Sequence, residues 1–88
     1  MAGFDAAGFD FAEMASAGNA EGLYELGLIY ATGRGGEPDL VAAHKWFNLA
    51  AYRGFAPAKA RREELAAEMS RDEIAMAQRA ARDWIATH

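Results

Sequence analysis

The stretch GNAEGLYELGLIYATGRGGEPDLVAAHKWFNLAAYRG, residues 18–54, decides the fold of this chain. It holds two segments with apolar residues at helical spacing, and a glycine- and proline-containing segment that cannot continue a helix separates them. The first helix is predicted from about Ala20 to Thr32, and its buried face carries Leu23, Leu26, Gly27 and Tyr30. The second begins after Asp39, and its stripe comprises Leu40, Ala43, Phe47, Ala50 and Ala51, with Trp46 at the edge. The pattern predicts a helix–loop–helix unit.

Residues at the ends and in the middle of this unit support the same prediction. Asn19 and Asp39 can accept hydrogen bonds from the free N–H groups of the two helices, and Gly54 suits the end of the second. Gly33 and Gly35 permit backbone angles that other residues avoid in the loop. Small residues let the helices approach closely, with Tyr30 and Trp46 filling the remaining wedge. These small residues are Gly27, Ala43, Ala50 and Ala51.

A second helix pair is predicted after Gly54. Pro57 suits a first helical position, but the following stripe of Ala58, Leu65 and Met69 is thin and is interrupted by Arg62. Ser70 and Glu73 have the spacing of a capping box, so another helix begins there. Its apolar face is predicted to carry Ile74, Ala77, Ala81, Trp84 and Ile85.

The chain as a whole is predicted to be all-α, because no segment alternates in the manner of a strand. The expected architecture is a short α/α solenoid of antiparallel helix hairpins, with about four main helices and a short helix over residues 11–17. We divide it into an N-terminal tail and short helix (1–17), a complete repeat (18–54) and a degenerate repeat that caps the C-terminal end (55–88).

Composition excludes several classes of function. The 88 residues include no cysteine, so disulfides and thiolate metal sites are excluded. The net charge is −4 and no basic face is visible, which argues against a nucleic acid partner. No apolar run is long enough to span a membrane, and no secretion signal is visible, so we expect a cytoplasmic protein.

The sequence does not predict an enzyme. Ser16 and Ser70 are expected at helix ends, His44 is expected at the surface or in packing, and two histidines are too few to form a metal site. The glycine-rich loop at residues 33–36 follows a helix and lacks the Lys-Ser/Thr of a phosphate loop. The glutamates at 63, 64 and 68 are interpreted as a solvated face. We therefore expect no catalytic residue, metal or cofactor.

The ordered set of residues within 18–54 resembles the Sel1-like repeat, a relative of the tetratricopeptide repeat with about 36 residues per unit. The residues that carry the resemblance are Gly18-Asn19-Ala20, Leu26-Gly27, Tyr30, Gly33-Arg34-Gly35, Asp39, Ala43, Trp46, Ala50-Ala51 and Gly54. The next unit departs from the pattern, with Arg62, Glu63 and Ala66 in place of Leu26, Gly27 and Tyr30. Residues 69–84 resemble the ending of many bacterial Sel1-like chains, which suggests a C-terminal cap that includes Trp84.

The resemblance implies a protein-binding module in which the first helix of each pair lines a groove. The residues expected at this groove are Glu21, Tyr24, Glu25, Leu28, Thr32, Ala60, Glu64 and Glu68. Tyr24 and Leu28 are interpreted as an exposed apolar pair rimmed by carboxylates, which suits a peptide or protein segment. Leu28 could instead pack against the N-terminal tail or a second copy of the chain.

Two alternatives to a binding module stay open. A self-associating structural protein, such as a homodimer, is one, because a solenoid usually needs about three repeats for a continuous core. A hydrolase is the second and remote alternative. The features that suggest a hydrolase in some relatives, above all cysteines, are absent from this sequence.

Overall fold

The computed structural model describes residues 19–34 and 36–88, and these residues form four α-helices and no strand. The helices are α1 (Ala20–Thr32), α2 (Leu40–Tyr52), α3 (Ala56–Ala66) and α4 (Arg71–Thr87). The all-helical prediction is therefore confirmed for this part of the chain. The predicted short N-terminal helix, Gly18 and Gly35 lie outside the described residues.

Side-chain caps begin three of the helices where the sequence predicts them. Asn19 Oδ1 accepts a hydrogen bond from the Gly22 N–H at 2.9 Å, and Asp39 Oδ1 accepts one from the Ala42 N–H at 3.0 Å. At the start of α4, the Glu73 N–H donates to Ser70 Oγ at 3.1 Å, and the Ser70 N–H donates to Glu73 Oε1 at 2.8 Å. These contacts satisfy N–H groups that have no partner within the helix.

Gly33 ends α1 in a conformation that favours glycine. Its φ angle is +75°, and its N–H donates to the Ile29 carbonyl at 3.0 Å. A Cβ atom at this position would lie 2.7 Å from the Gly36 carbonyl oxygen and 2.8 Å from Pro38 Cδ. The loop can therefore fold back tightly to the N-cap of α2 because residue 33 has no side chain.

The first hairpin closes through a contact between Gly27 and Phe47. A Cβ built on Gly27 would overlap the Cδ1 and Cε1 atoms of the Phe47 ring, which is buried in the α1–α2 interface. The predicted role of Gly27 in close helix approach is thus confirmed, and Phe47 is the side chain that occupies the space.

Helix α2 is the centre of the molecule, because it packs extensively on α1, α3 and α4. One buried cluster joins all four helices through Leu23, Leu26, Leu49, Ala50, Ala58, Ala81 and Trp84. Half-buried Tyr30 and Ala51 pack against it. Leu49 is fully buried although it lies outside the predicted α2 stripe. A helix with neighbours on three sides buries a wider arc of residues than one apolar stripe.

Helices α3 and α4 make few contacts with each other, unlike α1 and α2. The repeat spacing of 36 residues places Glu63 at the position of Gly27, and Asp83 at the position of Phe47. Both carboxylates are exposed. Two like charges cannot replace a ring packed on a glycine, so the second pair lacks the contact that closes the first. A solenoid of hairpins and the three predicted divisions of the chain stay predictions.

Three side chains have neighbours or an exposure that the sequence pattern did not predict. Trp46 packs half-buried against the core cluster and also meets Trp84 of α4 edge to face, with ring centroids 6.2 Å apart. Asn48, which lies off the predicted apolar stripe of α2, accepts a hydrogen bond from Arg62 of α3. Ile85 was expected in the core of α4 but is exposed. In each case the neighbouring helix lies in a direction that periodicity does not specify.

Candidate protein-binding face

The candidate site is the outward ridge of α1, formed by Glu21, Glu25, Leu28 and Thr32, together with Tyr24 beside it. These positions follow one another at intervals of three or four residues, so they line one side of the helix. Glu21, Glu25 and Thr32 are exposed, whereas Tyr24 and Leu28 are half-buried. The opposite face holds the helix on α2 through Leu23 and Leu26, which are fully buried.

Tyr24 is held by two aromatic neighbours. Its ring centroid lies 5.5 Å from that of Phe47 and 5.0 Å from that of Phe55, and both pairs are tilted. Phe55 is positioned by the turn at Gly54, whose φ is +98°, and by a 3.0 Å hydrogen bond from its N–H to the Ala50 carbonyl. The interpretation of Tyr24 and Leu28 as an exposed pair is therefore wrong. Tyr24 is a partly accessible ring on a fixed support.

The polar side chains of the ridge differ in the hydrogen bonds and ion pairs that they already make within the protein. Thr32 Oγ1 donates to the Leu28 carbonyl at 2.8 Å, within its own helix. Glu25 Oε1 lies 4.0 Å from Arg34 Nη2, and both side chains are more than half exposed. A pair of this kind is weak and is screened by salt. The carboxylates thus stay available to a partner, whereas the threonine hydroxyl donates inward.

The α3 residues predicted to complete the groove are exposed, but α1 and α3 do not pack extensively on each other. Glu64 Oε1 lies 3.9 Å from Arg61 Nη1, and Glu68 follows the last residue of α3. Tyr24 and Phe55 provide the contact between the start of α1 and the segment that leads into α3. The structure therefore brings together Glu21, Tyr24, Glu25, Leu28 and Thr32, and it leaves Glu64 on α3 and Glu68 in the turn between α3 and α4.

A polar cluster between α2 and α3 was not found by the sequence analysis. His44 is only 3% exposed, and its Nδ1 atom has no hydrogen-bond partner among the described residues. Arg62 Nη1 donates to Asn48 Oδ1 at 2.7 Å. Burial lowers the pKa of His44, and the positive charge of Arg62 lowers it further. Two features of the sequence could have indicated this cluster. His44 and Asn48 lie one helical turn apart on α2, and Arg62 interrupts the apolar stripe of α3.

Aromatic and cationic side chains also meet at the α2–α4 contact. Lys45 Nζ lies 4.1 Å from the Trp46 ring centroid, and the Arg53 guanidinium lies 5.4 Å from the Trp84 centroid. His88 stacks on Trp84 with centroids 4.3 Å apart. Burial lowers the pKa of Lys45. Trp84 is buried here, and its contacts with Trp46 and with Arg53, the residue that follows α2, join α4 to α2.

Within residues 19–34 and 36–88, no group of three or more histidine, cysteine, aspartate or glutamate side chains is placed to hold a metal ion. No helix in the same part of the chain is long and apolar enough to cross a membrane.

No family model, curated protein or solved structure matches this chain. The resemblance to the Sel1-like repeat therefore stays a prediction that rests on the ordered residues of 18–54.

Proposed function

We propose that this chain is a non-catalytic protein-binding module of Sel1-like type, a short α/α solenoid that holds a peptide or protein segment on the outward ridge of α1. The observation that carries the proposal is the partial burial of Tyr24 between two aromatic neighbours. Its ring is partly accessible and is fixed by Phe47 and Phe55, with half-buried Leu28 one turn further along α1. A cytoplasmic location and the absence of a cofactor are parts of the same proposal.

A fixed aromatic ring favours binding for an entropic reason. A free tyrosine loses side-chain freedom when a partner covers it, and this loss opposes association. Phe47 and Phe55 already restrict Tyr24, so less freedom remains to be lost. Aromatic residues are also enriched among the residues that dominate binding energy, and they work best beside apolar neighbours that exclude water. Leu28 is such a neighbour.

The proposal is tested with a display library of random peptides selected on the folded chain. Binding of the selected peptides is then measured by fluorescence polarisation for the unchanged protein and for Leu28→Lys and Leu28→Ala. We expect Leu28→Lys to abolish measurable binding, and Leu28→Ala to weaken it by about tenfold, which corresponds to about 1.4 kcal/mol.

Tyr52→Lys is the matched control, because Tyr52 is 66% exposed and lies on α2 rather than on the ridge. Circular dichroism establishes that each variant keeps its helices. If no peptide is selected, or if the Leu28 variants bind as well as Tyr52→Lys, the proposed function is wrong.

Self-association is the second candidate function, and the exposed Met76 favours it. Met76 is 53% exposed on α4, whose contacts with α3 are few. A second copy of the chain could cover this side chain. Light scattering coupled to chromatography should then give a dimer mass that falls to the monomer mass in Met76→Lys. A monomer at high micromolar concentration would remove this candidate.

A further inference from the structure

The outward ridge of α1 differs in charge along its length. Glu21 and Glu25 place two exposed carboxylates one turn apart, and α1 contains no lysine, arginine or histidine. Arg34 Nη2 lies 4.0 Å from Glu25 Oε1 in an exposed pair. Because such pairs contribute little free energy, a partner's cation can replace Arg34 at small cost.

The other half of the ridge is uncharged. Leu28 is half-buried, and the Thr32 hydroxyl donates to the Leu28 carbonyl rather than to the surroundings. The ridge thus has an acidic half at Glu21 and Glu25 and an apolar half at Leu28. An occupant that matches both halves carries a positive charge next to an apolar side chain.

On the basis of the function proposed above, we infer that the occupant of this ridge is a basic peptide segment, in which lysine or arginine stands beside an apolar anchor residue. The cation pairs with the carboxylates of Glu21 and Glu25, and the anchor covers Leu28 and the edge of the Tyr24 ring. An acidic segment is disfavoured because it would place like charges together, and complementary charge of this kind governs specificity.

The experiment uses two synthetic peptides built on one apolar anchor sequence from the library selection. One peptide has lysines beside the anchor, and the other has glutamates at the same positions. We expect the lysine peptide to bind at least about fivefold more tightly at low salt, as two weak exposed charge pairs allow, and the difference to shrink as salt is added. Glu21→Lys should reduce or reverse the preference.

Asp83→Lys is the matched control, since it makes the same change of charge at an exposed position of α4. Equal affinity for the two peptides, or the same response in Glu21→Lys and Asp83→Lys, would overturn the inference while leaving peptide binding itself intact. If neither peptide binds and the library yields none, the proposed function fails, and the inference fails with it.

Discussion

The interpretation of His44 changes once its neighbours in the structure are known. In the sequence it is a histidine beside an apolar stripe, and packing or surface exposure fits equally well. In the structure it is buried, its Nδ1 has no partner among the described residues, and Arg62 lies on the adjoining helix. Protonation of a buried imidazole next to a guanidinium is unfavourable, because a second positive charge would have to be buried, and the pKa of His44 is therefore lowered.

The first prediction follows from this lowered pKa. The unfolded chain binds a proton at His44 near the ordinary pKa of 6.5, whereas the folded chain binds it only at lower pH. Above pH 6.5, His44 is neutral in both states and its protonation does not reduce the free energy of unfolding. As the pH falls from 6.5 toward the folded pKa, the unfolded chain binds the proton first, and the free energy of unfolding decreases. We expect urea unfolding to show stability that falls as the pH is lowered below 6.5.

The variant His44→Phe keeps an aromatic ring at this position and removes the titrating group, so it should lose this part of the pH dependence. His88→Ala removes an exposed histidine and serves as the control. An unchanged pH profile in His44→Phe would contradict the assignment to His44.

At the scale of the elements, the two helix pairs differ because of their closest contact. The first pair places the Phe47 ring against Gly27, and the second has Glu63 and Asp83 at the corresponding positions. The starts of α1, α2 and α4 could be predicted, since the caps at Asn19, Asp39 and Ser70 depend on neighbouring residues only. The packing between helices depends on residues far apart in the chain, so the partner of Trp46 could not be predicted from its own helix.

The second prediction concerns the Gly27–Phe47 contact. Gly27→Ala adds a methyl group where the Phe47 ring lies, so α1 and α2 must separate or the ring must move. We expect a loss of about 1–3 kcal/mol in the free energy of unfolding, although alanine favours the helix by up to about 1 kcal/mol. Denaturant unfolding measures the change.

A double-mutant cycle provides the control for this contact. Phe47→Leu removes the ring, so Gly27→Ala should cost less in the Phe47→Leu background than in the unchanged protein. Additive effects of the two substitutions would show that the ring is not what excludes a side chain at residue 27.

At the scale of the whole molecule, α2 joins the other three helices, whose contacts with one another are few. Its buried residues Leu49 and Ala50 belong to the same cluster as residues of α1, α3 and α4. Helix α3 contributes Ala58 as its one fully buried residue, and its remaining surface is rich in charged side chains. Burial is therefore distributed unevenly among the helices.

The third prediction follows from that distribution. Amide hydrogen exchange should be slowest in α2, because its amides open only when the shared core opens, and faster in α3, which can detach at lower cost. Mass spectrometry of peptic fragments after exchange measures both helices in one experiment. Equal protection of α2 and α3 would mean that the four helices unfold as one unit.

The sequence by itself determined that the described chain is helical, the side-chain caps of α1, α2 and α4, the glycine at the closest helix approach and most of the buried positions. These features depend on helical periodicity and on contacts between near neighbours, both of which are visible in the order of residues. Only the tertiary structure decided that α2 is central, that α3 and α4 stay largely apart, that Phe55 supports Tyr24 and that His44 lies buried beside Arg62. Each of these depends on the direction in which one helix packs on another, and periodicity along a single helix does not specify that direction.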